Sequence, residues 1–138
     1  MIDAVLQSFL SGFPYFVLHF LVTCLLLVLG VAIYIWITPH REVDLIRKGN
    51  VAAAVSLSGA ILGIALPLAL AMSASYSVFE IVIWGAVAVA IQLVVFKAID
   101  FVFKGLSKRI EDGEMAPALV LASTKLSIAA INAAAIAG

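Results

Sequence analysis

Apolar residues run through this chain in long blocks, and the polar residues are gathered into short turns between them. The stretches Ala4–Thr38, Val51–Phe79 and Ile81–Phe96 contain no Asp, Glu, Lys or Arg. A helix needs about 20 mainly apolar residues to cross ~30 Å of hydrocarbon. The first two blocks exceed that length. The third reaches it when Glu80 and Lys97 sit at opposite interfaces, with their stems in the apolar layer. A fourth segment, Met115–Gly138, is long enough but carries Lys125. The pattern predicts an all-α integral membrane protein, a single membrane domain over 1–138 with transmembrane helices near 14–37, 51–73, 79–101 and 116–137. Ahead of the first span, Ile2, Val5, Leu6, Phe9 and Leu10 recur at helical spacing before Ser11-Gly12. That spacing fits a short amphipathic helix on the membrane surface or a simple extension of the span.

Composition sharpens this reading. Hydrophobic residues make up 65% of the chain and charged residues 12%, about half the charged share of an average soluble domain. Eight basic residues balance eight acidic ones, so no charge surplus points to nucleic acid. Cys24 is the single cysteine and lies in an apolar run, without an intrachain disulfide partner or a metal-binding neighbourhood. The N-terminus lacks the basic region of a secretory signal, so the first helix is expected to stay in the mature protein. No Ser/His/Asp set, HExxH, phosphate loop or carboxylate cluster is present, which argues against an enzyme and calls for no cofactor.

The basic residues orient the spans. Arg41, Arg47 and Lys48 lie between the first two, and Lys97, Lys104, Lys108 and Arg109 lie at the end of the third and after it. The N-terminal stretch and Met72–Glu80 hold none. The positive-inside rule therefore puts both basic loops in the cytoplasm and both termini on the outer side. The loop TPHREVDLIRKGN also carries order signals. Thr38 is placed to cap a short helix with Pro39 at its first position, Val43 and Ile46 give that helix an apolar edge, and Gly49 ends it.

An internal repeat is visible at an offset of 64 residues. Across Ile46–Ala71 and Ile110–Ala135, ten of 26 aligned positions are identical, including Ile46 with Ile110 and Gly49 with Gly113 in the polar turns. The chain reads as two tandem units, about 14–73 and 78–137, each a membrane helix, a turn ending in glycine (Arg47, Gly49 and Asn50 in the first, Gly113 in the second) and a small-residue helix. Tandem two-helix units share one orientation, so they form parallel repeats and not an inverted pair. The first helix is bulky and reads as lipid-facing, with Tyr34 and Trp36 near the interface. In the second, Gly59 and Gly63 form a GxxxG with Ser56 beside it, and in the fourth Ala129 and Ala133 are stacked at four-residue spacing. Small faces let membrane helices approach closely, which puts helices two and four at the centre, through packing within the chain or between subunits.

Lys125 is the sharpest single feature, roughly 13 Å into its helix at 1.5 Å per residue. A central Lys costs about 2.5–3.5 kcal/mol on insertion scales, so its helix is expected to face protein or water. Ser58, Gln92 and Thr124 fall at similar depth, with His19 and Asn132 nearer the outer face. By depth no carboxylate joins them, since Glu80 falls near the outer edge and Asp100 near the inner one. These polar groups either line an aqueous path or hydrogen-bond to one another around a snorkelling or neutral lysine. Pro67 is placed to kink the second helix.

Several of these features together resemble a known family. They are EVDLIRKGNVAAA (Glu42–Ala54) continuing through Gly59 and Gly63, Trp84 and Gln92, the Ile110–Gly113 turn, and the closing Ile131-Asn132-Ala133-Ala134. The chain resembles, over nearly its whole length, the small bacterial inner-membrane proteins of the YjfL type, domain of unknown function 350. The resemblance implies four transmembrane helices, a bacterial plasma membrane and a stress-related setting, and brings no activity or binding residues. Similar proteins tend to carry a glycine-rich last helix. This one has Ser-Thr-Lys there, so Lys125 is not part of the resemblance. The buried polar groups point first to a homo-oligomeric pore or transport protein for a small ion or solute, since a mere anchor need not bear their cost in a membrane. The alternative is a non-conducting anchor or envelope-stress component whose cytoplasmic loops dock a soluble partner.

Overall fold

A computed structural model describes residues 1–38 and 41–138. Their order is α1 (Ile2–Ile37), α2 (Glu42–Arg47), α3 (Val51–Ala74), α4 (Val78–Val102), α5 (Lys104–Glu111) and α6 (Met115–Ala137). The four long helices α1, α3, α4 and α6 are each long and apolar enough to cross a membrane. The short helices α2 and α5 lie in the two basic turns, on the same side of the bundle, called here the basic face. At the N-terminus the structure has the second of the two expected arrangements, a simple extension of the first span. No charge interrupts Ala4–Thr38, so nothing stops α1 from running back to Ile2 as one 36-residue helix through Pro14.

The bundle is organised around α3, which packs against α1, α4 and α6, with its most extensive seam against α6. Small residues make that seam possible. Ala52, Ala53, Ser56, Gly59, Ala60 and Gly63 are all buried on α3, and Ala118, Ala122, Ala129 and Ala133 on α6. A Cβ on Gly59 would lie 2.6 Å from the Ala122 Cβ and 2.7 Å from its Cα, and one on Gly63 would lie 2.7 Å from the Phe96 ring. The GxxxG is thus spent on contacts within one chain. Pro67 is buried inside α3, while Pro117 falls in the first turn of α6, where a missing N–H breaks no ladder bond.

α1 is the outermost helix, and only Gly30 and Tyr34 are buried on it. Its C-terminal end is fastened by Lys97, whose Nζ donates to the Ile37 carbonyl at 3.0 Å. Tyr34 is 1% exposed, which corrects the expectation that it stands at the lipid interface. Thr38 is not a cap for α2. It is the C-cap of α1, and its hydroxyl donates back to the Tyr34 carbonyl at 2.6 Å. The expected position of Pro39 at the start of a helix lies outside the described residues, and α2 itself begins at Glu42.

Both basic turns end in the same way. Gly49 and Gly113 have φ of +86° and +84°, the left-handed region that glycine enters without a Cβ penalty. Gly49 N–H donates to Ile46 and Asn50 N–H to Leu45; likewise Gly113 N–H donates to Ile110 and Glu114 N–H to Arg109. Asn50 then caps α3 by accepting from Ala53 N–H at 3.0 Å.

The glycine contacts yield a direct expectation. Gly59→Leu should open the α3–α6 seam and destabilise the protein by about 1–3 kcal/mol or more, whereas Gly12→Ala, at a position with no neighbour within 4 Å, should leave the bundle intact. Unfolding in detergent, followed for the two variants side by side, checks this.

Candidate functional site

The centre of the polar interior is an ion pair between Lys125 on α6 and Asp100 on α4. Nζ lies 3.0 Å from Oδ1, and the two side chains are 0% and 9% exposed. By main-chain depth they are separated, and helix geometry brings them together. Side chains tilt toward the N-terminus of their own helix. Because α4 runs toward the basic face and α6 away from it, Asp100 leans inward from the rim while Lys125 leans back to meet it. This corrects the expectation that no carboxylate shares the depth of Lys125.

The same ammonium donates to the Tyr34 hydroxyl at 3.0 Å, and lies 4.9 Å from the Tyr34 ring centre and 5.3 Å from that of Phe96. Tyr34 in turn donates to Glu42 Oε1 at 3.3 Å, and Ser56 Oγ donates to the same oxygen at 3.1 Å. Glu42 is 1% exposed although it opens α2 in the basic turn. A continuous polar chain therefore runs from α2 through α1 and α3 to the α4–α6 ion pair.

A second polar layer lies farther from the basic face. Asn132 Nδ2 donates to Gln92 Oε1 at 3.0 Å and is 3.4 Å from the Ala88 carbonyl, and Gln92 is fully buried. On α4 Gln92, Phe96 and Asp100 follow at four-residue spacing on one face, so the Phe96 ring, stacked edge-on against Tyr34 at 5.7 Å, separates the two layers. Ser58 and Thr124 do not join either layer. Ser58 is exposed and bonds the Ala54 carbonyl, and Thr124 bonds the Val120 carbonyl in its own helix. Each neighbours an inward residue in sequence, and at about 100° per residue that adjacency turns it off the interior.

At the basic face, Asn50 joins the two turns. Its Nδ2 donates to the carbonyls of Ile110 at 3.0 Å and Glu111 at 3.1 Å, at the end of α5. Ile110, fully buried, packs into the same core. The resulting surface carries a groove of about 530 Å³ lined by Arg41, Asp44, Leu45, Arg47, Lys48 and Glu111. Beside it the Arg109 guanidinium donates to Glu114 at 2.6 Å, and that hydrogen bond holds the Glu114 carboxyl below its usual range. Tyr34, Glu42 and Asp100 escaped the sequence reading. The available signal was the register of Gln92, Phe96 and Asp100, which puts a carboxylate on the same face as a buried amide.

The family profile described as Domain of Unknown Function (DUF350) matches residues 8–136. The chain belongs to this family. It is 32% identical over 116 residues to the UPF0719 inner membrane protein YjfL of Escherichia coli strain K12, an alignment covering 84% of this chain and 88% of the relative. The protein of the same name from Escherichia coli O157:H7 matches to the same extent. No solved structure matches the chain.

The ion pair should behave as a buried pair does. Lys125→Leu leaves the Asp100 carboxylate without its counter-ion and should destabilise the protein by about 3–5 kcal/mol, whereas Lys125→Leu with Asp100→Leu should recover most of that loss. Denaturant titration of the purified protein in detergent, comparing single and double variants, reads the difference.

Proposed function

We propose that this DUF350 protein is a multi-pass inner-membrane protein whose cytoplasmic face, built from α2 and α5, docks a soluble partner. The observation that carries this reading is the Asn50 side chain, which ties the start of α3 to the end of α5 and makes one rigid surface of two sequence-distant turns. A loop with no role beyond connecting spans needs no such clamp. The groove beside it offers exposed Arg41, Arg47 and Lys48 with Asp44 and Glu111, a mixed pattern suited to a polar protein surface. The positive-inside rule supports a cytoplasmic position for this face, with both termini on the other side, and the similarity to inner membrane proteins of Escherichia coli supports the inner membrane. The matching left-handed glycine caps, 64 residues apart, support a tandem parallel two-unit organisation, about 14–73 and 78–137. Neither this reading nor the next involves catalysis or a cofactor.

A second reading has its own support. Ser58, Ser123 and Ser127 are exposed on α3 and α6, where hydroxyls turned away from the core suit contact between copies. In a homo-oligomer these faces, together with Thr124, would line a path for a small ion or solute. Lys125 and Gln92 are withdrawn into a single chain, which favours docking over a pore lined by them.

Two measurements separate the readings. A photoreactive residue replacing Lys48 should give discrete adducts with one soluble protein in cells, lost in the Arg47→Glu variant, while Val94, on an exposed apolar face, should give none. Under the pore reading, purified protein in liposomes should pass ions, and that flux should survive Arg47→Glu. Flux without site-specific adducts would sink the docking reading.

A further inference from the structure

α1 and α4 both run toward the basic face and end there side by side. Between their last turns lies a lateral groove of about 560 Å³, lined by Ile33, Trp36 and Ile37 of α1 and Leu93, Val94 and Lys97 of α4. Trp36 is 84% exposed and Val94 70%, so the groove opens sideways, away from the bundle interior. Its cationic rim continues past Lys97. Val94, Lys97, Phe101 and Lys104 follow at three- and four-residue spacing, which keeps them on one helical face. The Lys104 ammonium lies 4.3 Å from the centre of the Phe101 ring, turned back onto that face. Lys97 donates one of its three ammonium hydrogens to the Ile37 carbonyl, and two remain. Among the described residues no carboxylate lines this groove. The hollow on the other side of Trp36 differs, because it holds Arg41 together with Glu42 and Asp44. The groove between α1 and α3, at Phe20 and Met72, has no charged residue in its lining.

We propose that the α1–α4 groove binds an anionic glycerophospholipid, with one acyl chain along Ile33, Leu93 and Val94 and the phosphate held by Lys97 and Lys104. The depth fits this occupant. α4 has 25 residues, about 38 Å at 1.5 Å per residue, so it overreaches the ~30 Å hydrocarbon layer by a few ångström at each end. Lys97 lies five residues before the end of α4, and its stem reaches the level where acyl chains give way to glycerol and phosphate. Lys104, beyond the end of α4, lies among the headgroups. Basic pockets between membrane helices at this level suit acidic headgroups. Trp36 adds an indole N–H for the ester carbonyls while its ring stays against the chains. A zwitterionic lipid brings a cation of its own to the same two lysines, and a soluble anion has no chain to fill the apolar part. A second copy, turned face to face, would set the same lysines against one another. The site does not depend on what the basic face docks.

The test uses the full chain with Trp84→Phe, which leaves Trp36 as the one tryptophan, in vesicles mixing phosphatidylglycerol and phosphatidylcholine. Brominating the chains of one lipid or the other makes it a contact quencher of indole fluorescence, so the two series give their relative association at the groove. Trp36 should favour phosphatidylglycerol by about fivefold or more, the scale of one lysine beside an acidic headgroup. Lys104→Gln should remove most of that preference. Lys104 is exposed on α5, and it is chosen because Lys97 also holds the end of α1; unfolding in detergent verifies that the variant is folded. Lys48→Gln, which removes an equal charge from the groove on α2, should leave the preference unchanged. Equal quenching by the two lipids would overturn the proposal. So would an equal loss in Lys48→Gln, which would mean diffuse surface charge, and so would the absence of quenching by either lipid, which would mean that protein covers the groove.

Discussion

A lysine inside a membrane must find a counter-charge within reach of its own stem, and the interior of this protein is arranged around meeting that demand. Lys125 meets Asp100 at 3.0 Å because α4 and α6 run in opposite directions and their side chains lean toward one another. Once the pair is withdrawn from water, its remaining hydrogen-bonding capacity has to be satisfied nearby. Tyr34 supplies an acceptor, and Glu42 and Ser56 continue the chain. A single charge thus fixes contacts among five of the six helices, including α2, which crosses nothing.

Close packing makes the same arrangement possible. The α3–α6 approach, with Gly59 facing Ala122 at a distance no side chain would allow, brings the two backbones near enough for the polar groups to be enclosed. Where apolar burial cannot distinguish helix from lipid, packing of small residues and polar bonding supply the association. α1 has little of either, and is retained by Tyr34, by Gly30 against Ile64 and Val89, and by the Lys97 bond to its last carbonyl.

Which parts were readable in the sequence follows from what one dimension contains. Charge-free runs mark the long helices, but with no Asp, Glu, Lys or Arg from Ala4 to Thr38 nothing marks where the first one starts. Gly49 and Gly113 were legible as turn ends because only glycine takes the left-handed conformation freely. The polar interior was half legible. Counting residues gives main-chain depth and not direction around the helix, so by count Ser58 falls with Lys125 although it lies about 200° from the inward Ser56. Depth also ignores side-chain length, and a lysine stem spans the main-chain gap between Lys125 and Asp100.

Chain order adds a temporal meaning to the enclosed pair. Tyr34, Glu42, Ser56 and Asp100 all precede Lys125 in the chain, and Lys125 sits on α6, after the other five helices in order. Chains generally fold from the N-terminal side as they emerge. The weakly apolar α6 therefore enters the membrane after its anion, its hydroxyl acceptor and the glycine surface of α3 are already there. The least apolar of the four spans is thus the one whose polar partners all lie ahead of it in the chain, so its slot can be prepared before it enters.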